Sequence, residues 1–560
     1  KSLFTIDSLT TKEGQYSLNT SCEVDCQPES YQYAMEVFHL RGKAIRLTGF
    51  VKGESLKQAV NISIHYAYDD GQHSEYLSEE VISSDFSGSF DWTPFTVSAR
   101  IPSSAKLVSV KINRKGEGYA WIDDLQLYVD RQPVRELPVA KEFTKDQMEW
   151  FSRNIRTFSS PLPYREYTRK QATALHFIKE MIGNSRIVAL GESTHGTHEF
   201  FTLKHKVLQY AVEELGFRVF AIEDHQLIVK KVDEYIKSGK GTATKSMVGM
   251  FDVWRRQEVI DLIEWLRAYN IEHPEDMVSF IGFDMQNVKW PIRHLREFLA
   301  AQDSIMLDNI TSALSELEEN AKGIFFSQDT LQKKAWINKA QLLFDQVAER
   351  SDEWLQGVYI QRDRERIHYG LQSARLMVQF FQEGLHNGQM LYRDEAMADN
   401  LNWYLDMIQP EAKVIVWAHD VHISRGEHPE REYNMHTGKS MGSFLARKYK
   451  KDFKSFGLTT FGGKYRAFKT YAYQDLIESP LYDSPRGTIE EALHQISRET
   501  GNPYLFLPLN NTPKWLDVPV PVRFANHISF DYGFWPRYVI PYQFDGLFFI
   551  DQTTASLLLE

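Results

Sequence analysis

Cysteine, basic charge and long apolar runs are all scarce in this chain. Only two of its 560 residues are cysteines, Cys22 and Cys26, so a framework of disulfides cannot hold the fold together. Acidic residues outnumber basic ones and give a formal net charge of −11, which argues against nucleic acid or an anionic membrane as a partner. No run approaches the ~20 consecutive apolar residues of a membrane span. We therefore expect no nucleic-acid partner and no membrane span.

The chain does contain enough apolar material for large cores. Hydrophobic residues make up 42% and charged residues 25% of it, as in globular proteins, and the length suits two or three domains. The chain begins at Lys1 without a signal-like apolar segment, so we expect an exported protein (periplasmic, cell-surface or secreted) whose signal peptide is absent from this chain. A disulfide between Cys22 and Cys26 would fit export, but their spacing leaves two thiols equally open.

Residues 1–130 are predicted to form an all-β sandwich domain. Short alternating runs are separated by Gly, Ser, Asp and Pro, which is typical of strands and turns. The clearest runs are Ala44–Val51, Val60–Tyr68, Phe95–Ile101 and Leu107–Asn113. The stretch from Trp121 to Asp124, which precedes an alternating run, resembles the last strand of jelly-roll carbohydrate-binding modules. That resemblance implies a glycan as a candidate ligand. Several aromatic side chains could stack on sugars or pack as ordinary β-sheet residues, namely Tyr66, Tyr68, Tyr76 and Trp92.

After a predicted linker at residues 131–142, residues 143–560 are predicted to form an α/β domain with a largely parallel β-sheet flanked by helices. Apolar runs of strand length alternate there with segments of helical period. The predicted strands are Arg186–Leu190, Phe217–Ile222, Met277–Phe283, Lys413–Trp417, Ser455–Phe461, Tyr504–Pro508 and Gly546–Ile550. Thr197 is predicted to begin the helix after the first of them, and Gly216 to end it. Residues 291–408 show apolar residues at intervals of three and four, which predicts a long helical insertion.

Acids and histidines follow four of these strands directly. The clusters contain Glu192 and His195, Glu223 and His225, Asp284, and His419 and His422. In open parallel α/β sheets, active sites lie outside the carboxyl ends of the strands. Carboxylates interleaved with histidines shift pKa values toward neutrality and support general acid–base chemistry. The sequence therefore predicts one catalytic cleft at this edge of the sheet.

These motifs together resemble the erythromycin esterase family. The resemblance is carried by Gly191-Glu-Ser-Thr-His-Gly-Thr-His-Glu-Phe-Phe201, Gly282-Phe-Asp-Met-Gln286, Arg393-Asp-Glu-Ala-Met-Ala-Asp-Asn400 and Val416-Trp-Ala-His-Asp-Val-His422. It implies a hydrolase of carboxylic esters, such as a lactone or an acylated small molecule, with a macrolide-like substrate included. It also implies an activated water, with neither a cofactor nor a metal.

The resemblance assigns roles to individual positions. His195 would be the general base. Glu192 and Glu223 would orient or polarise the reacting groups. His419 and Arg393 would stabilise the oxyanion or hold the substrate. Predicted substrate-binding residues are His198, Lys204, Asp284, Gln286 and His422. Two positions depart from the family pattern. Lys204 stands where the resemblance implies an Arg. Asp420 stands where Asn often follows the histidine. Lys lacks the bidentate geometry of Arg, so substrate contacts there are in question.

Three other interpretations of these residues remain open. Gly191 to His195 partly matches the nucleophile elbow, with Ser193 as nucleophile, although His replaces the small residue that the sharp turn needs. The histidines and carboxylates could instead form a zinc or manganese site, although His195 and His198 are too close for the usual helical metalloprotease motif. The protein could also bind a glycan or small molecule without catalysing. Four histidines are interpreted as ordinary surface or core residues: His205, His225, His273 and His436.

Overall fold

The computed structural model of the protein describes residues 3–14, 16–23, 26, 28–35, 40–68, 77–133, 140–160, 164–165, 175–327, 329–385, 390–430, 434–436, 439–469, 475–525 and 535–559. The chain divides into two compact units, one formed by residues 1–143 with the short segments 485–488 and 534–536, the other by the remaining chain. The first unit is β-structured, and strands and helices alternate in the second, which confirms the mixed α/β class. Of the predicted linker, residues 134–139 lie outside the described residues.

Antiparallel strands build the first unit. Their bounds are β1 Leu3–Asp7, β2 Ser17–Cys22, β3 Glu29–Met35, β4 Ala44–Tyr68, β5 Leu77–Ile82, β6 Phe86–Arg100, β7 Ala105–Arg114, β8 Gly118–Val129 and β9 Gln132–Pro133. Hydrogen-bonded neighbours follow the order β1-β2-β8-β4-β7-β3, and β5 and β6 also pair with β4. Buried side chains of β4 alternate with more exposed ones along its first residues, as expected for a strand with one face on a core.

The long β4 corrects the prediction of two separate strands, Ala44–Val51 and Val60–Tyr68. Its pairing register with β6 shifts repeatedly between Val51 and Val60, and Ser55 in that stretch has a left-handed φ of 54°. Such irregularities bend a strand without ending it. The first part of β4 pairs with β6 and β8, and its last part with β5 and β7. The polar residues between the two runs therefore mark bulges and not a loop.

The aromatic residues of the first unit have different surroundings. Tyr66 is buried in the core, and its hydroxyl donates to Glu79 at 2.6 Å. Tyr68 donates to the same carboxylate at 2.9 Å. Trp92 is half-buried, and Tyr76 lies outside the described residues. The core interpretation therefore holds for Tyr66.

A second sheet forms the centre of the second unit. Its strands are β10 Arg156–Thr157, β11 Ile187–Leu190, β12 Val219–His225, β13 Ser279–Asp284, β14 Val414–Trp417, β15 Phe453–Phe468, β16 Leu476–Leu481, β17 Tyr504–Pro508 and β20 Gly546–Thr553; β18 Val520–Pro521 and β19 Arg537–Tyr538 pair separately. The order across the sheet is β10-β17-β20-β15-β11-β14-β12-β13, with β16 beside β15. Pairing is parallel from β20 to β13 and antiparallel at β10, β16 and β17. Strands β11, β12, β13 and β14 are buried throughout, as strands covered on both faces must be.

Helices surround this sheet and continue into a separate helical region. Their bounds are α1 Lys145–Asn154, α2 His176–Ile182, α3 His198–Leu215, α4 Gln226–Ser238, α5 Ala243–Ser246, α6 Gln257–Glu272, α7 Lys289–Gln302, α8 Ser304–Glu319, α9 Gly323–Phe326, α10 Thr330–Leu355, α11 Gln361–Leu385, α12 Met390–Met407, α13 Asp420–Ile423, α14 Met441–Tyr449, α15 Ile489–Thr500 and α16 Ile540–Gln543. Helices α7 to α11 enclose an apolar cluster of their own. Within the described residues, no helix is both long enough and apolar enough to span a membrane.

Helix boundaries confirm some predictions and correct one. Thr197 is the N-cap residue of α3, and Gly216 ends that helix with a left-handed φ of 72°. The apolar spacing of Asp252–Tyr269 predicts one continuous helix, but the structure has a short 3₁₀ turn, Asp252–Trp254, followed by α6. Arg256, between them, is extended and bridges to Leu558, so a tertiary contact interrupts the helical period.

Candidate active site

The predicted site residues lie at or just after the carboxyl ends of adjacent parallel strands. Across the sheet the strands run β11, β14, β12 and β13, with Leu190 opposite Trp417 and Trp417 opposite Ile222. Their carboxyl ends therefore lie side by side at one edge of the sheet. This is the position at which open α/β sheets bind ligands.

Glu192, just after β11, holds His195. Its Oε1 lies 2.8 Å from Nδ1 of His195, and its Oε2 accepts hydrogen bonds from Lys204 Nζ at 2.5 Å and from Trp417 Nε1 at 2.9 Å. Glu192 is fully buried, whereas His195 keeps 8% of its surface exposed. Because both carboxylate oxygens are fixed, the orientation of the imidazole is fixed with them.

Lys204 lies beneath this pair and does not face solvent. Burial lowers the pKa of its ammonium to about 8, against the pull of the Glu192 carboxylate. The ammonium also lies 4.3 Å from the ring centroid of Trp417, a cation–π distance. Through these contacts Lys204 stabilises the Glu192 carboxylate. The substrate-binding role of Lys204 stays a prediction.

Gly191 permits a close approach between two strand ends. A Cβ at this position would lie 1.8 Å from Oδ1 of Asp420, just after β14. The backbone N–H of Asp420 donates to the carbonyl oxygen of Glu192 at 3.0 Å. Burial raises the pKa of the Asp420 carboxyl well above its usual range, although the Leu458 amide donates to it.

Glu223, near the carboxyl end of β12, receives three partners. Its Oε1 accepts from Arg393 Nη2 at 2.8 Å and lies 3.3 Å from His422 Nε2, and its Oε2 accepts from the backbone N–H of His419 at 2.9 Å. Burial alone would raise its pKa. The nearby His422, Arg393 and His195 charges and the His419 amide outweigh burial and hold the pKa well below its usual range. Glu223 is therefore a permanent anion.

Arg393, on α12, links the ends of β12 and β13. Its Nε and Nη2 donate to Oδ2 of Asp284 at 3.1 and 2.5 Å, and Nη2 also reaches Glu223. Burial opposes the charge, but Asp284 and Glu223 raise the pKa of the guanidinium above its ordinary value. Arg393 therefore remains a cation that neutralises two buried carboxylates.

His422 is held by an acid that the sequence did not reveal. Its Nδ1 lies 3.0 and 3.1 Å from the two carboxylate oxygens of Asp394, and its Nε2 faces Glu223 and Arg393. Burial lowers the pKa of His422, but Asp394 and Glu223 outweigh it and raise the pKa above its ordinary value. His436 also approaches Asp394, at 3.4 Å. The one available signal was that Asp394 directly follows Arg393 in the motif.

His419 has protein partners at both ring nitrogens. Its Nδ1 accepts from the backbone N–H of Val421 at 3.3 Å, so Nε2 carries the proton and donates to the carbonyl oxygen of Ala525 at 3.1 Å. Burial, with the neighbouring His195, lowers the pKa of His419 well below its usual range. The ring is therefore neutral and lies 4.9 Å from the His195 ring, centroid to centroid. No motif indicated the Ala525 contact, which comes from a distant part of the chain.

The remaining predicted substrate-binding residues occupy two other places. His198 Nδ1 lies 2.6 Å from Glu258 Oε1, and the ring packs edge-on against Tyr164. Gln286, two residues after Asp284, is exposed and donates to Glu383 Oε1 at 3.1 Å. The structure thus brings Asp284 and Gln286 to the strand ends, whereas His198 is paired on the side of α6.

Two alternative chemistries find little support in these contacts. The Ser193 hydroxyl is buried and, among the described residues, has no hydrogen-bond partner, so no base is positioned to activate it. Within the same described part of the chain, no group of three or more His, Cys, Asp or Glu side chains is arranged to hold a metal ion. Acids and histidines at the strand ends pair with one another and with Lys204 and Arg393.

Comparisons with known proteins identify the family to which this chain is similar. A profile of the erythromycin esterase family matches residues 212–553, more than half of the chain, and this range contains Glu223, Asp284, Arg393 and His419. Erythromycin esterase type II of Escherichia coli is 26% identical over 408 residues, which span 68% of this chain and 92% of that protein. The Bacillus subtilis protein YbfO, named as a hydrolase, is 22% identical over 433 residues, 72% of this chain and 92% of its own.

Solved structures share the fold. A Bacillus cereus protein with 23% identity superposes with a TM-score of 0.64, covering 75% of this chain and 100% of its own. A histidine mutant of the erythromycin esterase EreC, crystallised in its open conformation, has 15% identity and a TM-score of 0.53, covering 72% of this chain and 99% of its own. The matched family profile and the strand-end cluster together lead to one conclusion: this chain belongs to the erythromycin esterase family, and membership supports hydrolase activity.

Proposed function

We propose that the protein hydrolyses a carboxylic ester, with His195 as the general base on water and with no metal. The observation that carries the proposal is the Glu192–His195 pair, 2.8 Å between Oε1 and Nδ1, at the shared edge of the parallel strands. With Nδ1–H directed at the carboxylate, Nε2 is the basic nitrogen of the neutral ring. An imidazole so oriented is the usual means of taking a proton from water near neutral pH.

Buried ion pairs surround the His195 ring. The carboxylates in the cluster are Glu192, Glu223, Asp284 and Asp394, and the paired cations are Lys204, Arg393 and His422. When His195 takes a proton from water, its imidazolium faces the Glu192 carboxylate, with Nδ1 2.8 Å from Oε1. Glu192 then supports the imidazolium directly, as the acid of a hydrolase triad does.

The tetrahedral intermediate needs positive potential at the carbonyl oxygen. Arg393 and the protonated form of His422 provide that field in the proposal. His419 has both ring nitrogens occupied, so we assign it mainly to packing against His195 and to holding Glu223 through its backbone N–H. A direct oxyanion contact by His419 would require one of these hydrogen bonds to break.

We further propose that the substrate is a lactone or acylated small molecule, macrolide-like compounds included, and that the protein acts after export. The disulfide between Cys22 and Cys26 supports export, because disulfides persist in oxidising compartments. A glycan is the candidate ligand of the first unit, on the strength of its β-structure and its half-buried Trp92.

Hydrolysis of a panel of p-nitrophenyl and lactone esters tests the proposal. We expect His195→Ala to lower kcat by at least ~10²–10⁴-fold, whereas the exposed-histidine control His273→Ala keeps the activity. Full activity in His195→Ala would remove the base assignment. Loss of activity on EDTA treatment, restored by zinc or manganese, would favour a metal-dependent hydrolase. Ligand binding without turnover would favour a non-catalytic binding protein.

A further inference from the structure

A buried acid of the helical region, Glu383 on α11, adjoins the site but has no part in the chemistry proposed above. It is 2% exposed. Its Oε1 accepts a hydrogen bond from the Gln286 side-chain amide at 3.1 Å. Its Oε2 is also buried, and among the residues that the structure describes no hydrogen-bond partner reaches it. Native proteins pair nearly all buried polar atoms, so this unpaired oxygen calls for a ligand or a function.

Glu383 is connected to the strand-end cluster through two short links. Gln286 follows Asp284 by two residues, and the amide N–H groups of Met285 and Gln286 both donate to Asp284 Oδ1, which fixes that turn. Asp284 in turn binds Arg393, the partner of Glu223. Gln286 is exposed, so it connects the buried Glu383 carboxyl to the solvent-facing end of the cluster.

Burial, more than the charges around it, favours the neutral form of Glu383. Burial raises the pKa of its carboxyl to about 7, and the Asp284 carboxylate adds to this effect, whereas the Gln286 hydrogen bond and the Arg393 charge oppose it. On the neighbouring α10, Lys333 Nζ donates to the carbonyl oxygen of Gly384 at 3.3 Å. Because Oε1 accepts from Gln286, the proton of the neutral acid belongs on Oε2.

We infer that Glu383 is a specificity-determining residue, which donates a hydrogen bond through Oε2 to a hydroxyl or carbonyl oxygen of the substrate outside the ester group itself. The inference rests on the proposed esterase function. Substrates rich in oxygen, such as acylated sugars or hydroxylated lactones, would use this donor. Simple alkyl esters have no such oxygen and would not. An unpaired buried donor discriminates strongly between ligands that do and do not satisfy it.

Steady-state kinetics on two substrate types tests the inference. The probes are an acetylated methyl glycoside and p-nitrophenyl butyrate. With Glu383→Leu we expect KM for the glycoside to rise about 3- to 10-fold, with kcat and the butyrate kinetics unchanged, as for one lost hydrogen bond. Asp363→Asn, an exposed acid on the same helix, is the matched control. Equal KM values in wild type and Glu383→Leu would overturn the inference while leaving the esterase function intact.

Glu383→Gln provides a second readout that does not depend on tolerance of a buried leucine. In the wild type, KM for the glycoside should rise as pH passes through 7, because ionised Glu383 no longer donates. The amide of Glu383→Gln cannot ionise, so that rise should disappear while KM at pH 6 stays near the wild-type value. Persistence of the rise in Glu383→Gln would overturn the inference. If no ester is hydrolysed, the proposed function fails. Calorimetric binding of the same glycoside to wild type and to Glu383→Leu then tests the inference by itself. Equal affinity of the two proteins, or no binding to either, would overturn it.

Discussion

Two histidines three residues apart in this chain, His195 and His198, each pair with a glutamate but have different surroundings. His195 and Glu192 are 2.8 Å apart at the carboxyl ends of the parallel strands. His198 and Glu258 are 2.6 Å apart between α3 and α6, and Glu258 also accepts from the backbone N–H of Leu557 at 2.9 Å. The second pair therefore ties two helices to the C-terminal segment.

This difference indicates that the surroundings of a histidine–glutamate pair determine its role. Around His195 lie another imidazole, an ion-paired carboxylate and a buried ammonium. The His195 charge lowers the pKa values of His419 and Glu223. Around His198 lie Tyr164 and the helix start. We therefore assign catalysis to the first pair and bracing to the second, and three predictions can break or sharpen this contrast.

The largest effect is expected from removing one charge in each pair. Glu192→Gln should lower kcat by ~10²–10⁴-fold, because an amide neither fixes the productive tautomer nor supports the imidazolium. Glu258→Gln, the matched change in the bracing pair, should retain most of kcat. Ester hydrolysis is the measurement, with circular dichroism as a check of folding. Comparable losses in the two variants would erase the contrast.

The next effect concerns stability beneath the catalytic pair. Lys204→Met leaves the fully buried Glu192 carboxylate without its cation, so the free energy of unfolding should fall by about 3–5 kcal/mol. Lys204→Arg keeps the charge and should lose less. Urea unfolding of the three proteins measures this. A Lys204→Met variant as stable as the wild type would mean that Lys204 does not support Glu192.

The smallest effect is a pH dependence carried by the bracing pair. Burial lowers the pKa of His198, but the Glu258 carboxylate outweighs it and raises the pKa above the unfolded value of 6.5. The stabilisation is therefore complete below pH 6.5 and is lost as pH rises through the folded pKa. Unfolding curves of wild type and Glu258→Gln should differ by about 1–3 kcal/mol at pH 6 and converge at higher pH. A difference that grows with pH would contradict the assignment.

Local patterns in the sequence determined much of the second unit. Buried strands such as Tyr504–Pro508, and the helix that Gly216 ends, follow from apolar period and glycine chemistry, which act over a few residues. The same patterns identified the polar clusters after four strands. They failed where distant contacts overrode local preference, as at the bulges of β4 and at Arg256.

Only the tertiary structure decided which of these groups meet. The placement of β14 between β11 and β12 brings the Trp417 indole to Glu192, and it brings His419 between His195 and Glu223. Neither this neighbour order nor the partners Glu258 and Ala525 leave a trace in local sequence, because side-chain pairing depends on elements far apart in the chain. The sequence by itself determined which chemical groups are present and which apolar runs become buried strands, and the packing of the sheet decided which of those groups contact one another.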